Sequence, residues 1–255
     1  MTFSIRARAA ARAAVVHLIC SVAVALLAGL LVFGLWYPHP YADLSGGREL
    51  FLLVMAVDVV CGPLLTAVIF NPAKPRAELW RDLGLVVLIQ LGALGYGLST
   101  VWQVRPLFLV MELDRFKVVA EPDLQGASPA ELSIPLRPTW FAGPTTVAVR
   151  EFKDRQEQQV VMFETLSGGR DLAARPDFYL RYDDESARKS WLRAKKLDPF
   201  LEKYPAQSIA LSKLATEKRA NPADWRYLPV VGRQDWIAII DNDGQIQGFL
   251  PGDGF

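Results

Sequence analysis

The sequence predicts a membrane protein: three transmembrane α-helices followed by a small α+β domain. Three observations predict it. Apolar residues crowd into three long runs within the first hundred positions. The remainder changes to short alternating segments broken by proline and glycine. Mean hydropathy is +0.18 although 22% of the 255 residues are charged, as expected when an apolar and a polar population share one chain.

The first run extends from about Ala13 to Tyr37, the second from about Leu50 to Phe70, the third from about Leu83 to Trp102. Each reaches the roughly 20 residues that a helix needs to cross the hydrocarbon core. Lipid offers a backbone no hydrogen bonds, so each run should be helical. Buried helices of a soluble protein would keep a polar face, and these runs have almost none. A cleaved signal peptide fits the basic start (Arg6, Arg8, Arg12). However, the run exceeds the usual apolar region of about 7–15 residues and ends in Trp36 and Tyr37, so a retained anchor is expected.

Lysine and arginine set the expected orientation. The tail 1–12 carries Arg6, Arg8 and Arg12, and the loop between the second and third runs carries Lys74, Arg76 and Arg81. The intervening loop has Arg48 beside Asp43 and Glu49. The division is therefore a cytoplasmic tail (1–12), a three-helix membrane part (13–103) and a domain on the far side (104–255). That far side is the periplasm if the host membrane is a Gram-negative inner membrane.

In the exported part, LFLVMEL from Leu107 and FKVVAE from Phe116 read as strands. Pro122 to Pro144 reads as loop. The stretch Arg150 to Leu166 reads as helix, stopped by Gly168-Gly169. Asp183-Asp184 should open a second helix that ends in lysines, and a third spans about Pro205 to Arg219. RYLPVVG, WIAIID and QIQGFLP alternate as strands, with Asp241 to Gly244 as a hairpin turn.

Chemistry is sparse. A net charge of +1, from 28 basic and 27 acidic residues, disfavours nucleic acid as a partner. The two cysteines, Cys20 and Cys61, sit in apolar runs and suggest neither a disulfide nor a zinc site. Only His17 and His39 are available as imidazoles, so no multi-histidine metal centre is expected. Ser45-Gly46-Gly47 and Ser167-Gly168-Gly169 lack the lysine of a P-loop, and no GxSxG elbow is present. No catalytic residue, cofactor or metal is indicated.

Asp58 stands out. Near the middle of the second run, a carboxylate costs about 2.5–3.5 kcal/mol on insertion scales, so it should face other helices and find a partner. Gln90 and Ser21 are candidates, as is a polar group on another membrane protein. Gly62-Pro63 follows one turn on, where proline should kink the helix and free a carbonyl. Gly84, Gly92, Gly95 and Gly97 give the third run a small-residue face, with Gly92 one turn from Tyr96; such faces admit close helix approach.

The order YPHPY (Tyr37, Pro38, His39, Pro40, Tyr41), SGG (Ser45, Gly46, Gly47), Leu50-Phe51, Val57-Asp58 and GPLLT (Gly62 and Pro63 to Thr66) is distinctive. It continues through Lys74, Asp82-Leu83, Gln90, Tyr96-Gly97, Arg105-Pro106 and Asp114-Arg115-Phe116. Over about residues 37–120 this pattern resembles the TfpX/TfpZ type IV pilin accessory proteins of Gram-negative bacteria. The resemblance implies an inner-membrane, chaperone-like protein that associates with a cognate type IV major pilin and affects its stability or assembly into pili. The pilin would meet Asp58 and the third helix through its membrane helix, and the exported domain through its head. The residues of the pattern, Tyr37, Pro38, Pro40, Tyr41, Gly46, Gly47, Asp58, Gly62, Pro63, Asp82, Gln90, Gly92, Tyr96, Arg105 and Pro106, are the candidate partner-binding or structural positions. Two rivals are a membrane enzyme using His39 on a lipid or glycan, and a ligand sensor. The sensor lacks room for a cytoplasmic output module.

Overall fold

The computed structural model describes residues 3–128, 132–133 and 136–255. The chain divides into two compact units: one is the chain up to Leu35 with Gly47–Gln103, the other Trp36–Gly46 with Val104–Phe255. The loop that the sequence division leaves between two membrane helices is thus packed into the second unit.

The first helices in chain order are α1 (Phe3–Leu31), continued by a π-helical turn Val32–Trp36, the one-turn α2 (Tyr41–Leu44), α3 (Gly47–Ile69) and α4 (Arg76–Gln103). Three of these, α1 with its π turn, α3 and α4, are long and apolar enough to cross a membrane. Helix α1 starts well before Ala13 because RARAAARAA is rich in alanine and arginine, which favour helix.

In the first unit α3 packs against both α1 and α4, whereas α1 and α4 hardly meet. The buried seam of α3 is Gly47, Phe51, Met55, Asp58, Gly62 and Thr66, at steps of four and three. That alternation keeps one stripe of the helix on its neighbours. On α1 the buried positions Ala10, Ser21 and Ala28 are small, so the two axes can approach closely. Both pairings are antiparallel: His17 lies beside Thr66 and Gly29 beside Phe51, while Gln90 reaches Gly62 and Gly97 reaches Val54. Pro63 sits inside an unbroken α3.

The second unit is built on a mixed sheet of eight strands: β1 (Pro106–Glu112), β2 (Arg115–Ala120), β3 (Thr145–Val149), β4 (Tyr179–Arg181), β5 (Lys195–Lys196), β6 (Arg226–Val231), β7 (Trp236–Ile240) and β8 (Ile246–Pro251). The order is β4-β3-β1-β2-β6-β7-β8, with β5 also paired to β6. Strands β1 and β2 form an antiparallel hairpin, β1–β3 and β2–β6 are parallel, and β6, β7 and β8 form an antiparallel meander. β1 lies inside the sheet and is apolar up to its last residue, Glu112, because both its faces are covered. Leu109 and Met111 enter one core with Phe116, Leu228 and Ile240, and Phe108 and Val110 enter another with Val119 and Val147.

Among the described residues four α-helices accompany the sheet: α5 (Arg155–Leu166), α6 (Asp184–Arg193), α7 (Leu197–Lys203) and α8 (Gln207–Lys218). The α8 expectation holds, as do the first two strands and the C-terminal meander; α6 opens at the expected acids but ends at Arg193, and the lysines expected at its end, Lys195–Lys196, form β5. The helix expected from Arg150 begins only at Arg155, after Asp154 caps it by accepting from the Glu157 amide at 2.8 Å. The preceding TTVAV is strand β3, as its β-branched residues favour. Sequence reading missed α7 and β4. The loop expected over Pro122–Pro144 opens with a 3₁₀ turn, Glu121–Leu124, and lies partly outside the described residues.

Helix α5 carries a pH-dependent clamp. Arg150 donates to both carboxylate oxygens of Glu157, at 2.9 and 2.7 Å, and the Lys153 amide adds a third bond at 2.7 Å. The arginine bonds first, then the amide, hold the Glu157 pKa down at about 2. A depressed carboxylate stabilises fully above its ordinary value of 4.5 and loses that contribution as pH falls toward about 2. We therefore expect the thermal midpoint of the wild type to fall more steeply across that window than that of Arg150→Gln, followed by circular dichroism. Equal slopes would remove the clamp from the account.

Candidate functional site

The membrane unit holds the chemistry that its apolar composition makes costly. Between α1 and α4, with α3 as floor, lies a groove of about 720 Å³. Its walls are largely aliphatic, with Val16 and Val24 on α1 and Val87 and Leu91 on α4, and the Cys20 thiol between the two valines. Arg12 and Trp80 line it as well.

The floor is polar. His17 Nδ1 and Thr66 Oγ1 are 2.5 Å apart. Gln90 donates through Nε2 to Ser21 Oγ at 3.2 Å and to the backbone carbonyl of Asp58 at 2.9 Å. One side chain on α4 thereby ties α1 to α3. The Asp58 carbonyl lies next to the Val59 carbonyl, whose helical donor Pro63 cannot supply. Gln90 thus braces the segment of α3 that proline weakens. Asp58 is only 8% exposed, and its Oδ1 and the Oε1 of Gln90 have no hydrogen-bond partner among the described residues.

Two glycines make this packing feasible. A Cβ on Gly62 would collide with the Gln90 amide, and one on Gly97 with the Val54 side chain. Gly84, Gly92 and Gly95 have open space where a Cβ would stand. The small-residue face read on the third run is therefore split: Gly97 belongs to the α3–α4 contact, and Gly92 lines neither groove. Tyr96 is highly exposed and lines, with Gly97, a second groove of about 510 Å³ between α3 and α4. Asp82 accepts from Lys74 Nζ at 2.6 Å beside Glu78, fastening the loop that precedes α4.

The remaining positions of the pattern fall in the second unit, apart from Gly47, which opens α3. Tyr41 and Leu44 enter the sheet core beside Leu109, Phe116, Leu228 and Trp236. The Arg233 amide donates to the Leu44 carbonyl at 2.6 Å, and a Cβ on Gly46 would come within 2.5 Å of Arg233 Cδ. Gly143 sits against Pro38, where a Cβ would be 2.6 Å from the ring. Tyr37 is buried; burial pushes its hydroxyl pKa up, and the nearby Arg105 pulls it partly back. Arg105 is itself buried and precedes Pro106, the first residue of β1. His39 is exposed, its ring edge-on to Trp236 with centroids 6.1 Å apart. So Tyr37, Pro38, Tyr41, Gly46, Arg105 and Pro106 build the globular domain, while Asp58 and Gln90 line both membrane grooves, Gly62 lines the second, and Pro63 follows it on α3. Sequence reading took His17 as a buried, hydrogen-bonded or interfacial histidine but did not find Thr66 as its partner. Their signal was a polar residue on each of two apolar helices.

Comparison with known proteins points to one process. The family described as Fimbrial assembly protein FimB matches residues 5–46, which is α1 and the loop after it. Two proteins of Dichelobacter nodosus, named fimbrial assembly protein of serogroup I and of serogroup E1, are each 32% identical over 249 residues, covering 96% of this chain and 96% of their own. A third from the same organism, the fimbrial assembly protein of serogroups C1 and C2, is 39% identical over 115 residues, covering 45% of this chain and 88% of its own. No solved structure matches the chain.

Proposed function

The chain belongs to the fimbrial assembly protein family, and on that premise we propose that it is a non-enzymatic membrane accessory of type IV pilus assembly. It binds a cognate type IV pilin and modulates the stability of that pilin or its incorporation into pili. The resemblance of residues 37–120 to the TfpX/TfpZ accessory proteins supports this finer reading. The groove between α1 and α4 is the observation that carries it. It is open, apolar-walled and floored by a costly polar cluster, as a seat for a further membrane helix would be. The arginine-rich tail and the loop with Lys74, Arg76 and Arg81 support an inner-membrane orientation with both on the cytoplasmic side. The globular domain is then periplasmic, where a pilin head would be within its reach.

The test is photocrosslinking in native membranes from Leu91, on the groove wall, against Leu88, which is exposed on α4 and lines neither groove. Capture of the pilin from Leu91 and not from Leu88 is expected. Capture of lipid alone, with pilin abundance and piliation unchanged on deletion, would overturn the proposal.

A further inference from the structure

The floor of the groove is rich in acceptors and short of donors. Both hydrogens of the Gln90 amide are committed, one to Ser21 and one to the Asp58 carbonyl. That leaves Asp58 Oδ1 and Gln90 Oε1 as buried acceptors with nothing to accept from among the described residues. Asp58 is the central residue of α3 and more than nine-tenths buried, and it lines the groove along with Gln90. Of the other donors on the groove, His17 and Thr66 face each other, Arg12 and Trp80 stand about two to three turns along their helices from Ser21 and Gln90, and neither the aliphatic wall residues nor the waterless hydrocarbon core contributes one.

We infer that the occupant of this groove is a partner transmembrane helix that places a protonated amine at the depth of Asp58. The inference rests on the groove reading above and gives that site its chemistry. An ammonium has three donors and no acceptor, so it serves both Asp58 Oδ1 and Gln90 Oε1 and balances the carboxylate. A hydroxyl donates only once. A carboxylate or carbonyl on the occupant would add acceptors to a floor already in surplus. Lipid amines sit at the headgroups, about 15 Å from the bilayer centre, whereas Asp58 is at the middle of its span.

The experiment uses the full chain reconstituted in phosphatidylcholine vesicles. Labelled polyleucine transmembrane peptides carry one central lysine, serine or leucine, and binding is read by energy transfer from tryptophan, the share lost in Trp80→Phe being that of the groove. The lysine peptide is expected to bind at least tenfold more tightly than the leucine peptide, and Asp58→Asn should remove that advantage. This substitution keeps the side-chain shape and a neutral hydrogen-bonding group, so it tests charge with minimal disturbance of packing. Thermal melting in the same vesicles verifies that the variant is folded. Equal binding of the lysine and leucine peptides would overturn the inference and leave the groove reading intact. Serine binding as tightly as lysine would also overturn it. So would an undiminished lysine advantage in Asp58→Asn, since the carboxylate would then not be the recognised group. Failure of every peptide together with failure of the Leu91 crosslink would remove the groove itself.

Discussion

Replacing Gly62 with alanine is expected to destabilise the membrane unit by about 2–4 kcal/mol, and replacing it with leucine to prevent accumulation in the membrane. The Cβ of either residue would occupy the space of the Gln90 amide. Gln90 would have to withdraw, breaking its bonds to Ser21 and to the Asp58 carbonyl. Each buried group left unpaired costs about 1–3 kcal/mol, and lipid provides no substitute partner. The collision falls beside Pro63, where the backbone of α3 already lacks one helical hydrogen bond. Gly92→Ala is the matched comparison, because a methyl there meets open space. Its effect should stay within about 0.5 kcal/mol. Thermal melting of both variants in detergent measures the difference. A Gly62→Ala protein that melts with the wild type would show that α3 and α4 do not cross as closely as described.

The contrast between these two glycines marks where sequence reading stops. The three spans were legible because each is apolar around its whole circumference, a pattern with few alternatives. The same uniformity hides which side of a helix faces its neighbour. With no polar face on α4, nothing in the spacing separates Gly97, which meets Val54, from Gly92 and Gly95, which meet nothing. Asp58 was legible for the opposite reason: one carboxylate in a lipid-length run must have a structural or functional cause. Gln90 and Ser21 could be named beforehand as its neighbours, since few other polar side chains share that depth. The geometry adds that Gln90 reaches the Asp58 backbone and leaves the carboxylate oxygen Oδ1 unpaired. In the globular domain the alternation of β6, β7 and β8 was plain. Strand β3 was hidden because its five residues abut the polar start of α5. Helix α7, seven residues long with an internal proline, presents too few turns for a period to emerge.

The loop after α1 was the least legible element, and the largest effect on the globular domain is expected there. Leu44→Ala should cost about 2–5 kcal/mol, the range for truncating a fully buried leucine. Leu44 has no exposed surface and packs in the core that includes Leu109, Phe116, Leu228 and Ile240. Its carbonyl is held by the Arg233 amide at 2.6 Å, and the approach is close enough that a Cβ on Gly232 would stand 2.5 Å from it. Side chain and backbone of this one residue thus fix Trp36–Gly46 onto the turn between β6 and β7. Domains of this size have only about 5–15 kcal/mol in total, so the loss should appear as a lower melting temperature and faster proteolysis of the domain. His39→Ala supplies the contrast: its ring is exposed and touches Trp236 only edge-on, so about 1 kcal/mol or less is at stake. The loop motif then bears on function through the fold of the domain. Loss of piliation in Tyr41 or Leu44 variants should track domain melting and leave the Leu91 crosslink of any folded fraction in place. A Leu44→Ala protein with an unchanged melting temperature would detach the loop from the core.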